Sequence, residues 1–328
     1  MFQRRPLPLV SIALTVAGLV AACGGSSGPL GSVPPASATA DPSVALGSPD
    51  ATPAPSEEAS PSPSGSDASP TASPSVSPSS APTGTTIVRS YFWLGGVEGS
   101  AGLVAVLREV PSTKAVATAA VNALLSGPTD AEGKRSISTA VPDGSQLLGL
   151  SVDGGVATVD LSGEFESGGG SASVLTRLAQ MVYTLTQFPS VKSVVFQIEG
   201  EARPVFSSEG VVLDKPATRA DYTALLPDIW VDRPAFSAAI GNPAHVTGNA
   251  DVFEATFRIS ILDAAGKRIA DEQVMASCGT GCRGTFDVTI PYTVSKGQYG
   301  ILRAYNLSAK DGSPESVRDY RVWLTPKA

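Results

Sequence analysis

The sequence predicts an α+β domain followed by an all-β sandwich, both placed behind a long N-terminal stretch that builds no core. Three observations predict this. Two helical apolar stripes are interleaved with β-branched runs between residues 85 and 200. About seven short alternating runs, separated by Gly, Asn and Asp turn signals, fill residues 227–328. Residues 24–84 are almost entirely Ser, Pro, Ala, Thr and Gly, with no aromatic side chain. Such a stretch cannot bury enough apolar area to offset the entropy of ordering its backbone.

At the N-terminus, Arg4 and Arg5 precede the apolar run Leu7–Ala22, which ends Val20-Ala21-Ala22-Cys23-Gly24. Charged, apolar and small-residue regions in that order mark an exported chain. A cysteine at the expected cleavage point resembles the lipobox of bacterial lipoproteins. The resemblance implies a signal peptide over residues 1–22, with Cys23 as the lipidated first residue of the mature chain. Ordinary secretory cleavage would instead leave Cys23 free, and an uncleaved anchor would need about 20 apolar residues. The expected location is extracytoplasmic, lipid-anchored at the cell membrane. Residues 23–84 then read as a disordered tether. A flexible coil of about 60 residues spans on the order of 45 Å, and a Pro-stiffened one somewhat more.

The formal charge of −7 is unevenly distributed. The tether holds Asp41, Asp50, Glu57, Glu58 and Asp67 and no Lys or Arg. Setting these and Arg4 and Arg5 aside leaves 25 acidic and 21 basic residues, a balance of −4. That gives no basic face for a nucleic-acid partner.

The first domain is expected over residues 85–222. Thr86–Leu94 is β-branched and aromatic, and Gly102–Val110 is a second strand. Ser112 or Thr113 offers a helix N-cap. Ala117, Ala120, Val121, Leu124 and Leu125 form the stripe of a helix packed on a sheet, and Gly127-Pro128 stops it. Asp153-Gly154-Gly155 joins Gln146–Val152 to Val156–Leu161 as a hairpin, because the tight turn needs positive φ. Ser171 is a plausible cap for a second helix, with Val174, Leu178, Met181, Val182 and Leu185 at helical spacing. Val191–Ile198 is the last strand. The order β-β-α-β-β-α-β suggests two helices on one sheet face.

Tyr91-Phe92, Leu124–Thr129, Val159–Ser162 and Leu185–Val191 together resemble the GerMN domain of bacterial sporulation and germination lipoproteins. The resemblance implies a non-catalytic envelope domain used in protein assembly. Each motif also has a local account: a helix stop, a strand end where Asp160 caps backbone, and a glycine loop at Gly168–Gly170 that lacks the Lys-Ser/Thr of a phosphate cradle.

The second domain is expected over residues 227–328. Its candidate strands are Ile229–Asp232, His245–Gly248, Val252–Leu262, Arg268–Ala276, Gly284–Pro291, Tyr299–Asn306 and Val317–Leu324, the pattern of an immunoglobulin-like sandwich. Phe253, Ala255, Phe257, Ile259 and Ile261 alternate as an inward face. Cys278 and Cys282, in Cys-Gly-Thr-Gly-Cys, read as a disulfide in an exported domain. A zinc half-site would need about four ligands, and His245 is the only histidine. A redox-active pair usually has two intervening residues, not three. Ile229–Pro234, Gly248–Ala255, Leu262–Gly266 and Ala304–Ser313 resemble the Gmad-type immunoglobulin-like domain of sporulation and germination proteins. That resemblance implies a surface interaction domain.

Three functions compete. An enzyme is poorly provided for: one histidine limits acid–base work near neutrality, and His245 beside a strand reads as structural. Glu164 and Glu166 leave open a carboxylate-based hydrolase. A glycan- or peptidoglycan-binding module would want exposed aromatics on one face; Tyr292, Tyr299, Tyr305, Tyr320 and Trp323 are the candidates. Protein–protein assembly is the reading adopted, since tethering raises local concentration. Charged contact spots are Asp251 with Glu254 and Lys310 with Asp311, each also readable as an ordinary turn. The expected partners are an envelope protein or a second copy, the membrane through the lipid, and cell-wall glycan, with no nucleic acid. No cofactor, metal or catalytic residue is assigned.

Overall fold

The computed structural model describes residues 84–327. The expected signal peptide, Cys23 and all but the last residue of the tether lie outside the described residues. The first half comprises β1 (Thr85–Leu94), β2 (Gly102–Pro111), α1 (Val116–Leu125), α2 (Asp130–Gly133), β3 (Ile137–Ser138), β4 (Leu147–Asp153), β5 (Val156–Leu161), α3 (Ser171–Leu185), β6 (Ser193–Ile198), β7 (Glu201–Ala202), β8 (Val205–Phe206) and β9 (Val211–Val212). The expected α+β order is present, but the strands divide into two sheets, β2-β1-β3 and β4-β5-β6-β7, with a separate β8–β9 hairpin. β5 and β6 run parallel with α3 as their crossover, a connection that a parallel pair requires. α1 and α3 pack on each other and both rest on β1, so one helical layer serves both sheets. The faces are those the spacing predicts: Ala120, Val121 and Leu124 of α1 and Val174, Leu178, Met181, Val182 and Leu185 of α3 are buried.

The β4–β5 turn falls where Asp153-Gly154-Gly155 requires it, with φ of +54° and +88° at the two glycines. The helix starts differ from expectation. Thr113 Oγ1 accepts the Ala115 N–H at 3.0 Å, a local turn, and α1 begins at Val116 without a side-chain cap. Ser171 is the first residue of α3, not its cap, and its hydroxyl donates to Glu209. α2, unforeseen, is a capping box: Thr129 and Glu132 satisfy each other's backbone N–H.

The second half comprises β10 (Ile229–Arg233), β11 (Ala239–Ile240), β12 (Ala244–Ala250), β13 (Thr256–Leu262), β14 (Arg268–Met275), β15 (Gly284–Ile290), β16 (Gln298–Leu307) and β17 (Pro314–Leu324). They form two sheets, β10-β12-β15 and β11-β17-β16-β13-β14. Phe257 meets Phe286 across the core with ring centroids 4.9 Å apart. The expected strand Val252–Leu262 is a correction: only Thr256–Leu262 is strand, and residues 252–255 leave the ladder as a turn.

The two halves share one hydrophobic core that runs from Tyr91 through Trp230 to Leu324. The Asp228 N–H donates to Gly99 O and the Phe236 N–H to Ala105 O, each at 2.8 Å. Val106 and Phe236 form a parallel β-bridge, so the free edge of β2 is covered by the second domain.

Candidate functional site

The junction is built from side chains of both halves. Trp230, on β10, is buried against Tyr183 and Tyr91, with centroids 5.5 and 6.3 Å away. Its indole N–H donates to Leu103 O at 2.9 Å. Arg318, on β17, is 2 % exposed. Its guanidinium donates to the carbonyls of Ser100, Gly102 (3.2 Å) and Leu103 (2.9 Å) in the first domain. Burial pushes its pKa down, but arginine stays charged, and carbonyl dipoles take the place of a counter-ion.

Over this junction opens a cleft of about 610 Å³ lined by Arg219, Trp230, Asp232, Thr247, Asn249 and Thr285, among others. The Tyr91 hydroxyl donates to Asp232 Oδ1 at 2.8 Å. The Arg219 guanidinium lies over the Tyr183 ring at 4.7 Å and the Tyr91 ring at 5.5 Å. Burial, foremost, raises both phenols, Tyr183 to about 12, so neither serves as a base near neutrality. The polar groups are mutually satisfied. They join the domains and do not assemble a nucleophile with a base and an orienting group.

Comparison with known families decides what these domains are. Residues 90–203 match the Germane family, described as sporulation and spore germination. Residues 228–313 match Gmad2, the immunoglobulin-like domain of bacterial spore germination.

The chain carries a Germane (GerMN) domain followed by a Gmad2 domain.

Both family descriptions concern sporulation and spore germination. The first GerMN domain of the sporulation protein GerM from Bacillus subtilis is 19 % identical, with 42 % of this chain and 100 % of that one covered and a TM-score of 0.35. The tandem GerMN domains of the same protein are 14 % identical with a TM-score of 0.36; 64 % of this chain and 62 % of that one are covered. The chain thus spans under two thirds of the tandem structure. No curated protein shows significant similarity to the chain.

The other residues singled out in the sequence fall as follows. His245 is exposed, and its Nε2 lies 2.6 Å from Asp287 Oδ1. It lies on β12 and pairs at the surface with a side chain of the neighbouring strand β15. Glu166 is engaged by the Ser207 N–H and by Arg203. Asp160 caps the Gly200 N–H at 2.8 Å. The Gly168 carbonyl, with those of Phe165 and Ser167, is held by the buried Arg177. Asp311 accepts from Ser313 within its own turn. Among the described residues no three His, Cys, Asp or Glu side chains converge as a metal site would need. Nor is any described helix long and apolar enough to cross a membrane.

Of the five aromatics named as glycan-binding candidates, Tyr292, Tyr305 and Tyr320 are buried. Tyr299 (42 % exposed) and Trp323 (36 %) remain at the surface. They pack edge to face at 4.8 Å, and Arg321 lies over the Tyr299 ring. That is one partly covered pair, not a row of free ring faces.

Cys278 and Cys282 are joined, with Cα atoms 5.9 Å apart. The loop they close clasps the 251–255 turn. The Glu254 N–H donates to Thr280 Oγ1 at 3.0 Å, the Thr280 N–H to Val252 O at 3.1 Å, and the Gly281 N–H to Asp251 Oδ1 at 3.3 Å. Gly279 lies where a side chain would strike the Ala255 backbone. Replacing both cysteines with serine is expected to lower unfolding free energy by about 2 kcal/mol, the loop-closure value for so short a ring. Faster hydrogen exchange should be confined to residues 251–255 and 276–284, and exchange spread through the whole sandwich would refute a local role.

Proposed function

We propose that the chain is a lipid-anchored, extracytoplasmic module that works by contact with other envelope proteins or with a second copy of itself, without turning over a substrate. Cys23 carries the lipid, and more than one acyl chain makes the attachment stable. The tether carries the paired domains outward. One observation supports the reading above the others: the Germane and Gmad2 domains share a continuous core, with Arg318 and Trp230 locked into the first domain's carbonyls. A fused body of this kind presents one fixed surface, which suits binding more than a hinge-driven reaction does.

Cross-linking on intact cells, followed by mass spectrometry, tests it. Cross-links from Germane or Gmad2 lysines to a defined envelope protein, or between copies, are expected, together with a diacylglyceryl thioether on Cys23. An unmodified Cys23 on a freely secreted product would remove the anchor. Retention on purified peptidoglycan with no protein cross-link would replace protein contact with glycan binding, for which Tyr299 and Trp323 are the exposed candidates.

A further inference from the structure

The long sheet edges of this chain are closed in different ways, and β4 stands apart from them. The edge of β2 is bridged by Phe236. Along β1, the Gln180 amide donates to Tyr91 O at 3.0 Å and the Tyr91 N–H donates to Thr184 Oγ1 at 3.1 Å. Gln187 both accepts from and donates to the Arg89 backbone, so α3 side chains take the place of a strand there. β14 carries Arg268, Asp271 and Glu272, charges of the kind that keep an edge from pairing. β4 has no such cover. From Leu147 to Val152 it holds no charged residue and no proline. Leu148 and Val152 are 52 % and 43 % exposed.

The backbone of β4 is open as well. The Glu199 N–H donates to Leu161 O at 3.0 Å. Leu161, and with it Val159 and Ala157, therefore turn their peptide groups toward β6, while Thr158 and Asp160 turn theirs toward β4. Opposite those two stand Ser151 and Gly149, so Leu150 and Val152 present N–H and C=O outward. Among the described residues nothing outside the sheet hydrogen-bonds to those groups. The side chains of Leu150 and Val152 share the face of the wholly buried Val159 and Ala157. The core face of the sheet thus runs out half-covered at this strand. A regular ladder over Gly149–Asp153 with a free row of donors and acceptors is a template for one more strand.

We propose that β4 is the dimerisation edge of this chain, pairing antiparallel with β4 of a second copy about a two-fold axis through Ser151. Leu150 then lies opposite Val152 of the second copy, and each such pair exchanges two hydrogen bonds. The apolar side chains of both residues meet their counterparts on one face. Gly149 lies opposite Asp153 of the second copy and leaves it room. Within its own chain a side chain at Gly149 would meet only Asp160, at an ordinary 3.6 Å, so the fold itself does not call for that glycine. The two Asp153 carboxylates fall at opposite ends of the paired strands, and no like charges meet. A second copy is the occupant because, in this register, donors, acceptors, apolar side chains and the lone carboxylate each find their match on the same strand. The contact closes on itself. At the far end of the sheet β7 is only Glu201–Ala202, so pairing stops at a dimer. One strand pair buries less than the roughly 1,600 Å² of a standard interface, so copies held on one membrane are where it forms. The dimer deepens the contact-module reading and rests on it.

The full chain with Ser151→Cys, made in intact cells and treated with a mild oxidant, tests it. At the axis the two Ser151 Cα atoms stand about 4.5 Å apart as a non-hydrogen-bonded pair, within disulfide reach. A non-reducing gel should show a dimer, and mass spectrometry should place the bond between the two introduced thiols. Glu272→Cys, on the charged edge of β14, reports chance collision and should stay monomeric. Adding Val152→Pro to Ser151→Cys removes an N–H that bonds nothing within the chain, so the thermal midpoint should hold. Association should weaken roughly thirtyfold, about fivefold for each of the two hydrogen bonds lost. Val152→Lys keeps the N–H, is a guard that natural edges tolerate, and should abolish the dimer by setting a charge among the apolar side chains. Equal dimer from Ser151→Cys and Glu272→Cys, no dimer from either, or a dimer that both Val152 variants leave intact would overturn the inference. So would capture of a different protein by the introduced thiol. That last result would leave the general contact reading standing while this edge failed, so the two fail separately.

Discussion

Replacing Arg318 with alanine is expected to destabilise the joined domains by about 3–4 kcal/mol, because it withdraws a buried charged donor from the Ser100 and Gly102 carbonyls, removes one of the two donors to Leu103 O, and leaves a void. For a body of this size that shifts the midpoint of thermal unfolding by roughly 10 °C. The carbonyls of Ser100, Gly102 and Leu103 belong to the β1–β2 connection and the start of β2. Their loss of a partner should therefore appear first as exposure of that connection, and next as two separate unfolding transitions. Arg318→Lys should recover only part of the loss, since a single ammonium nitrogen on a shorter side chain cannot reach acceptors that two guanidinium nitrogens serve. Arg318→Met fills the space without donating. If calorimetry found Arg318→Met as stable as the parent chain with a single transition, the carbonyl clamp would not be what joins the domains.

Trp230→Ala is the second large effect, at about 3–5 kcal/mol for removing a buried aromatic side chain. The cost has two separable parts. Trp230→Phe keeps a ring against Tyr183 and Tyr91 but loses the N–H to Leu103 O, worth about 1 kcal/mol, together with part of the indole's buried volume. Trp230→Ala loses both and opens a cavity between the domains. Arg318 and Trp230 donate to the same carbonyl, Leu103 O. The double variant Trp230→Phe with Arg318→Met should therefore cost less or more than the two singles added, and not their plain sum. Strict additivity in urea unfolding would show that the shared acceptor couples nothing.

Much of the fold was legible in the sequence because its signals are local. The Asp153-Gly154-Gly155 turn, the two helical stripes and the strand alternation at Phe257, Ile259 and Ile261 each depend on residues within one element. What escaped was set by contacts between distant ones. β1 carries both helices yet pairs as a strand only with β2 and β3, so the single expected sheet is two. The short β11 exists by parallel pairing with β17, which no local pattern reports. Arg177 and Arg318 look like surface charges in a sequence, and only tertiary structure shows them buried on backbone carbonyls. At Val252–Ala255 the alternation was genuine and the reading still failed, because the Cys278–Cys282 loop claims that backbone for its own hydrogen bonds. The pair of cysteines could have raised the question, since a ring that small is available to grip a neighbouring turn.

The bridge between Val106 and Phe236 bears on solubility. Leu103, Val104, Ala105 and Val106 make one side of a three-stranded sheet whose backbone groups would otherwise face water. Bare, flat, apolar borders of that kind invite chains to polymerise side by side. The Gmad2 domain therefore acts as an edge guard for its neighbour. A Germane fragment cut loose at Leu226 would bare that border, and clumping into fibrils would be its natural failure.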